Sequence, residues 1–329
     1  TNLAITRNYT DVYIPGTIYT LLHASNGVTG TYTNVTQTVS PFLDLITIYD
    51  ANNVRLQIAL NPTPMTFYAY TPNQLAVAVA AALLPEGNEV HDALISVPTQ
   101  SIYRAALDAL SGEIHASAAS MIFEDSRYIR DAALNRLPSS LTPTLNAALH
   151  LEELGLSNTN STPNSTIWAE GFGSWGDFNG DYNTAALHRD TKGFFIGSDK
   201  IVGDGIKVGL LGGFSHSNMN VNARQSTGQS DNVHLGWYAG KQLNQIMLGL
   251  GGAYTYHDID TERLVSFPGF YNQLYSNYKG SSGQAFGEAG YVLNMRHVGL
   301  EPFSQLAYVR ASLGQFAEHG GNGALTGKS

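Results

Sequence analysis

The C-terminal half of the chain alternates between large apolar residues and small or polar residues, in one segment after another. In residues 206–215, for example, Ile206, Val208 and Leu210 fall on one face, with lysine and glycine between them. Successive side chains of a β-strand point to opposite faces of the sheet. Each segment therefore has one apolar face and one small or polar face. This pattern is typical of a transmembrane β-barrel, which has lipid outside and a polar interior.

We predict seven such strands, separated by connections of alternating length. They lie near residues 166–178, 187–202, 206–219, 232–243, 245–258, 276–294 and 298–312. The connections at 203–205, 244 and 294–297 are short, whereas those at 178–187, 219–232 and 258–276 are long. Outer-membrane barrels have short periplasmic turns and longer extracellular loops. Because a long connection follows the first strand, this strand is predicted to run outward from the periplasm.

The rest of the chain differs in pattern from this half. Its first part is rich in short β-type segments between turns, such as 17–23 and 43–49. Two explanations remain open for it: a small β-sandwich, or the capped last rungs of a β-solenoid. We divide the chain into a β-solenoid-like segment, a helical junction with a pore helix, a linker and a partial antiparallel barrel, at residues 1–61, 62–137, 138–165 and 166–329.

The helical junction contains two predicted helices. The first covers residues 73–84, and the second runs from Thr99, a favourable N-cap, to Leu137, just before a proline. Roughly 35 helical residues would span about 50 Å, which exceeds the hydrocarbon thickness of a bilayer. The second helix carries too many charges to face lipid, so we predict that it lies inside a water-lined lumen. Its one weak point is Gly112, which marks a bend.

Composition narrows the class of protein. The chain has 329 residues, a formal charge of −9 and no cysteine. The acidic balance argues against nucleic acid as a partner, and the lack of cysteine excludes disulfides and zinc–thiolate sites. No run of 18 apolar residues is present, so no transmembrane helix is predicted. The chain starts without the charged and apolar regions of a signal peptide, so we expect it to be a piece of something longer.

Charged residues on the strands and on the pore helix are the candidate contacts between helix and barrel. A charge on the lipid face is costly, so acidic residues within the strands should point into the lumen. There they could pair with arginines of the helix, or they could simply hydrate the lumen, and the sequence leaves both explanations open. The candidate residues are Glu124, Asp125, Arg127, Arg130, Asp131, Arg136, Glu170, Glu288 and Glu301.

No motif for catalysis or for a bound cofactor emerges. The chain has no G-x-S-x-G nucleophile elbow, and a glycine-rich loop explains His319 and the two glycines after it. Residues 177–183 are rich in Asp and Asn, but their spacing departs from that of a calcium-binding EF-hand loop. We therefore predict that the chain is not an enzyme and holds no cofactor or metal.

Several of these segments resemble bacterial autotransporters, the proteins of type V secretion. Residues 106–136 (ALDALSGEIHASAASMIFEDSRYIRDAALNR) resemble the junction where the passenger meets the translocator. Residues 168–173 (WAEGFG) resemble the first strand of the translocator barrel, and 205–215 and 236–240 resemble later strands. Residues 16–60 are similar to the end of a passenger β-helix. The resemblance covers nearly the whole chain, and the junction is its most specific part.

The resemblance implies a fold, a location and a function. The barrel would lie in the bacterial outer membrane, placed there by periplasmic chaperones and the barrel-assembly machinery. It would export its own passenger to the cell surface, with the helix threading the pore. The family barrel has twelve strands, so the seven predicted here imply that roughly five are missing. Some members cut the chain inside the pore, and Asn135 is the candidate residue, because an asparagine amide can attack its own backbone carbonyl.

Two other functions are weighed against export. A surface adhesin would bind host cells or matrix through its passenger and its long loops, and it would still need a translocator as an anchor. A secreted hydrolase of sandwich fold would need a clustered nucleophile and base, which the sequence does not show.

Overall fold

A computed structural model describes residues 2–37, 39–137, 165–294 and 299–328. The predicted linker at 138–165 therefore lies outside the described residues, except for its last position. Among the described residues, no helix combines the length and the apolar character needed to cross a membrane.

The N-terminal segment consists of five short strands in two small sheets. They are β1 (Asn2–Ile5), β2 (Ile18–His23), β3 (Asn34–Gln37), β4 (Leu43–Tyr49) and β5 (Asn53–Leu60). The strands β1 and β3 pair in parallel, as the rungs of a solenoid do, whereas β2, β5 and β4 form an antiparallel sheet in that order. On β5 the side chains of Val54, Leu56 and Ile58 are buried at every second position. This alternation gives the sheet one apolar face, which packs against the helices that follow.

Between the N-terminal sheets and residue 137, the described chain forms four α-helices. They are α1 (Pro72–Ala81), α2 (Glu89–Ser96), α3 (Gln100–Leu110) and α4 (Glu113–Leu134), and a short 3₁₀ turn at Met65–Tyr68 precedes them. The side chains of Thr71, Asn88 and Thr99 accept hydrogen bonds from the first turns of α1, α2 and α3, which fixes where these helices begin.

The single long helix predicted from Thr99 to Leu137 is wrong, because the chain breaks between α3 and α4. Gly112 adopts a φ of 65°, a left-handed conformation that glycine reaches without steric cost, and this ends the run of helical hydrogen bonds. The 22 residues of α4 give a length of about 33 Å. The sequence pattern does not predict α2, because this helix has only eight residues before the chain leaves the helical conformation again.

The C-terminal half forms one antiparallel sheet of seven strands, in the order β14-β11-β10-β9-β8-β7-β6. Its strands are β6 (Ser165–Phe178), β7 (Leu187–Val202), β8 (Ile206–Val221), β9 (Ser226–Leu243), β10 (Ile246–Phe267), β11 (Phe270–Tyr291) and β14 (Phe303–Leu313). Four two-residue strands complete the chain: β12 (Leu293–Asn294), β13 (Gly299–Leu300), β15 (Phe316–Ala317) and β16 (Thr326–Gly327). The mainly β fold and the antiparallel sheet are thus confirmed. In the described part of the chain the sheet ends at β14 and β6 and does not close.

Two of the three predicted long loops are strand extensions instead. The chain continues in strand past residue 219 and turns at Asn222–Arg224, and β10 and β11 continue to a tight turn at Pro268 and Gly269. In these extensions the outward positions become polar, so the apolar alternation used for prediction stops while strand pairing continues. The connection between β6 and β7 is the one that stays a loop, at residues 179–186.

The helix α4 lies on the inward face of the sheet and touches β7, β8, β9, β10, β11 and β14. Six flat strands would extend over about 24 Å, twice the width of a helix, so these contacts require the sheet to curl around α4. Ile129 and Leu134 pack among inward residues such as Leu211 and Phe286. The opposite, outward face carries exposed apolar residues at alternating positions, among them Leu210, Leu235 and Leu250.

Aromatic rings on the inward face lie over glycines of the neighbouring strand. A Cβ at each of these glycines would stand 2.3–2.5 Å from the ring. The pairs are Trp168 over Gly197, Phe195 over Gly213, Tyr238 over Gly209 and Phe286 over Gly251. The rings are therefore held flat against the wall, and the space above them is left for α4.

The tip of the β10–β11 hairpin shares a hydrophobic core with α2 and α3. Val265, Phe267 and Leu274 of the hairpin are buried in one cluster with Leu94 and Leu107 of the helices. The first 110 residues are thus held at one end of the sheet, the end from which the long hairpin projects. We call this end the mouth. The short turns after β7 and β9 lie at the opposite end.

Replacing Gly249 by valine should displace α4 from the sheet. A Cβ there would stand 2.4 Å from Leu137 Cδ1, and such overpacking costs about 1–3 kcal/mol. The measurement is the urea midpoint of the detergent-solubilised protein. The control is Gly283→Val, because nothing lies within 4 Å of a Cβ at that position. Equal losses in both variants would contradict the close approach of helix and sheet.

Candidate functional site

The candidate site is the interface between α4 and the inward face of the sheet, and its centre is Asp125. This carboxylate is 4% exposed and accepts hydrogen bonds from Arg189 Nη1 at 2.7 Å and Ser217 Oγ at 2.6 Å. Thr191 Oγ1 donates to both carboxylate oxygens. Arg189 is itself almost fully buried, so the pair excludes solvent from the middle of the interface. A buried charge that is paired and hydrogen-bonded in this way fixes one position of the helix against the strands.

The hydrogen-bond network around Asp125 continues sideways across the sheet. Ser217 contacts Asn232, whose side-chain oxygen lies 2.6 Å from His257 Nδ1. His234 Nε2 lies 2.9 Å from Ser215 Oγ, and its Nδ1 faces Thr255 rather than a carboxylate. The serine and the histidine are both buried, and no acid orients the imidazole. This arrangement is therefore a structural network and lacks the third member of a hydrolytic triad.

The end of α4 remote from the mouth is held by Asp199. Arg136 Nε lies 3.1 Å from Asp199 Oδ2, and Tyr238 donates to the same oxygen at 2.8 Å. Lys207 approaches Asp199 Oδ1 at 3.5 Å and donates to the carbonyl of Arg136 at 2.7 Å. Trp168 completes the group through its Nε1, which donates to Tyr238 at 3.0 Å. Arg136, two residues after the end of α4, is thus bound to β7 and β8, and the group extends to β9 and β6 through Tyr238 and Trp168.

The mouth end of α4 is held by three separate connections of the sheet. Glu113 accepts from the backbone N–H of Ala185 at 2.6 Å and from Arg224 Nε at 2.9 Å. His115 Nε2 lies 2.9 Å from Glu318 Oε1, in the segment that follows β14. Arg263 of the long hairpin grips both oxygens of Glu318 at 2.7 Å.

Electrostatics at the mouth depend on Glu318. Burial alone would raise its pKa, but the hydrogen bonds from Arg263 and His115 outweigh burial and lower the pKa from 4.5 to about 2. The carboxylate therefore stays ionised at any pH at which the protein works.

The residues predicted as helix–barrel contacts divide into two groups. Asp125 and Arg136 hold the centre and the far end, whereas Glu124 and Arg127 face each other at 3.8 Å with their side chains 42% exposed. Arg130 donates to Gln284 at 3.1 Å, and Asp131 is largely exposed.

The predicted pairing of the helix arginines with strand glutamates is not found among the described residues. Glu170 and Glu288 share the inward face with Trp168 and Phe286, and both are half-buried. Glu301 lies against the inward side of Gly290. The arginines contact Asp199, Gln284 and Glu124 instead, so hydration of the interior is the explanation that fits the three glutamates.

Asn135 caps the C-terminus of α4 and is exposed, and its backbone N–H bonds to the carbonyl of Asp131 at 2.9 Å. Its role in cleaving the chain stays a prediction. Sequence reasoning missed Arg189, Asp199, Arg224, Arg263 and Glu318, since an alternating pattern marks which face a residue occupies but not its partner on another strand.

The match to known families agrees with this architecture. Residues 167–329 match the family model of the autotransporter β-domain. This half of the chain is an autotransporter β-domain. The domain lies in the bacterial outer membrane, anchors the chain there and serves the export of its own passenger to the cell surface. The outer-membrane location and the type V secretion class predicted from the sequence are therefore confirmed.

Relatives extend the likeness to nearly the whole chain. Two proteins of Serratia marcescens, both named extracellular serine protease, are 29% and 28% identical over 354 and 353 residues. The matches cover 95% of this chain but 32% of each relative, so the chain spans about a third of their length. A solved structure that is detectably similar is the translocator domain of the autotransporter NalP from Neisseria meningitidis. Its TM-score is 0.45, with 15% identity over 65% of this chain and 66% of that one.

Replacing Asp125 by asparagine should destabilise the domain by about 3–5 kcal/mol, because Arg189 would lose its charged partner inside the interface. The free energy of unfolding in detergent, from urea titration, measures the loss. Asp131→Asn is the matched control: it removes a charge from the same helix, from a side chain that is 51% exposed, and should change stability by less than about 0.5 kcal/mol. Similar losses in the two variants would show that burial of the Asp125–Arg189 pair does not determine its contribution to the free energy of unfolding.

Acidification should loosen the segment after β14. Because the pKa of Glu318 is lowered by folding, its contribution is complete above pH 4.5 and is lost as pH falls towards 2. The shift corresponds to about 3 kcal/mol. The protection factors of the amides of residues 314–328, which compare each measured exchange rate with the intrinsic rate at the same pH, should fall over this window. In Glu318→Gln the protection factors should already be low at pH 6 and change little with acid. A pH profile identical to that of the unaltered protein would contradict the assignment.

Proposed function

We propose that this chain is the export and anchoring unit of a longer surface protein, and that α4 is the last exported segment, held in the channel of the barrel. The placement of α4 supports this. Its first residues meet the connections at Ala185 and Arg224, and Leu137 meets Gly240 and Gly249 beside the short turn after β9. At the mouth the stretches between the apolar parts of successive strands are long, either as a loop after β6 or as polar extensions of β8 to β11. In outer-membrane barrels the longer excursions of the chain are extracellular and the short turns are periplasmic. The helix therefore runs from outside to inside.

One observation carries the proposal: a polar helix is enclosed by a sheet whose other face is apolar and exposed. In water such a sheet would turn its apolar face inward. Leu210 is 65% exposed and Leu235 66% exposed, whereas Asp125 is buried against the opposite face. Lipid around the sheet and a hydrated channel within it account for both facts.

Assembly would depend on the barrel-assembly machinery and on periplasmic chaperones. In lipid, every backbone N–H and C=O must find a partner within the protein, so a partly formed sheet has to be protected until its edges are paired. The family membership supports this step for the chain.

The passenger would be a serine protease located upstream of residue 1. The support is that both relatives are named extracellular serine proteases, while this chain matches only a third of each. We favour a protease passenger over an adhesin, because both of these relatives are named as proteases.

A charge on the outward face should block membrane insertion and export. Leu235→Arg places a cation on the apolar face of β9, at a cost of about 2–4 kcal/mol near the bilayer midplane. We expect little protein in the outer membrane, and loss of an epitope tag, inserted after Asn8, from the surface of intact cells. Thr227→Arg is the control, because it lies on the same strand and face but in the polar extension near the mouth. The proposal fails if the unaltered protein is soluble in the periplasm.

A further inference from the structure

We propose that the mouth of the sheet contains a binding site for residues 108–115 of the exported chain, and that this site helps to set the position at which the chain stops in the channel. The inference rests on the proposed export function. It assigns a recognition role to Arg224, Arg263 and Glu318.

The segment of residues 108–115 is bent, whereas a continuous helix moving through the channel would be straight. At Gly112 the chain changes direction between α3 and α4 with a φ of 65°. Leu325 Cδ1, from the segment after β14, would stand 2.4 Å from a Cβ at this position. The bend and the missing side chain together give the element a unique point that the mouth can contact.

The exported segment carries two acidic residues, Asp108 and Glu113, and Arg224 of the sheet contacts both. Arg224 Nε donates to Glu113 at 2.9 Å, and its Nη1 lies 3.5 Å from Asp108. The side chains of Arg224 and Glu113 are 16% and 6% exposed, so the pair is largely withdrawn from solvent. The backbone N–H of Ala185 completes the second oxygen of Glu113. These contacts come from two different connections of the sheet.

A second arginine holds the other side of the bend. Arg263 is 2% exposed and donates through Nη1 to the carbonyl of Ala109 at 2.9 Å, where α3 ends. The same guanidinium grips Glu318, whose Oε1 lies 2.9 Å from His115 Nε2 in the first turn of α4. The ring of Phe316 stacks on His115 at 3.8 Å. Arg263 therefore touches the end of one helix directly and the start of the next through Glu318.

These contacts distinguish one position of the chain from positions one turn away. A shift of α4 by one turn moves its residues by 5.4 Å along the axis. Lower in the channel, the pairs Asp125–Arg189 and Arg136–Asp199 oppose the same shift, whereas the apolar packing around Ile129 is less specific. At the mouth the same shift would separate Glu113 from Arg224 and leave Arg224 without the carboxylate that it binds at 2.9 Å. The mouth therefore penalises further outward movement of the chain.

The test measures the position of α4 in the channel by cysteine cross-linking. These 329 residues contain no cysteine, so within them an introduced pair is the only source of thiols. A Cβ at Gly236 would stand 3.2 Å from Ile129 Cδ1. Cysteines at 129 and 236 should therefore cross-link in the full-length protein in outer membranes, whereas cysteines at 133 and 236 should cross-link at least fivefold less.

Loss of the mouth contacts should shift this pattern. In Arg224→Gln, and more strongly in Arg224→Gln with Arg263→Gln, we expect α4 to move outward, so that cross-linking falls at least threefold at 129 and rises at 133. Arg224→Lys should restore much of the original pattern. Arg55→Gln removes an exposed ion pair of the N-terminal sheet and should leave the pattern unchanged. If the double variant does not reach the membrane, Glu113→Gln tests the same contact from the exported side.

The outcomes separate this inference from the export function. An unaltered cross-linking pattern in Arg224→Gln and in Glu113→Gln, with the passenger still at the cell surface, overturns the inference and leaves export intact. Absence of the passenger end from the surface of cells that carry the unaltered protein overturns the export function itself. A shifted pattern with normal export supports the binding site.

Discussion

The enclosure of α4 by the sheet is the interaction on which the rest of the structure depends. Without a helix to fill it, a sheet with a polar and glycine-rich inner face would have nothing to curl around. With the helix in place, Asp125 and Arg136 each find a buried partner on the strands. The outward face is then free to be uniformly apolar. The division between lipid and interior therefore follows from the position of one helix.

Much of the fold follows from the sequence because the period of a strand is short and local. Ile206, Val208 and Leu210 can be assigned to one face from their spacing alone, and the register of β8 with its neighbours preserves that assignment. The same reasoning fails where the outward face becomes polar, as at Asn218 and Asn220 on β8. There the strand persists because backbone hydrogen bonds do not depend on apolar side chains.

The candidate site was less accessible to sequence reasoning, for two physical reasons. Arg263 and Glu318 are 55 residues apart, and nothing in the chain between them indicates that they meet. Acidic residues on strands were assigned to the interior because lipid rejects charge, and Glu170 and Glu288 do lie there. The arginines, however, bind Asp199 and Gln284, since geometry along the helix axis decides between acceptors that have similar chemistry.

The rings that lie flat over glycines on the inner wall have a further consequence. Trp168, Tyr238 and Phe286 fill the gaps above neighbouring backbone, so their stretch of the wall has little relief. An unfolded polypeptide drawn past such a lining meets few projections on which a particular side chain could catch. The lumen would then not discriminate between passenger sequences that precede α4. One translocator domain of this kind could therefore export passengers of unrelated sequence.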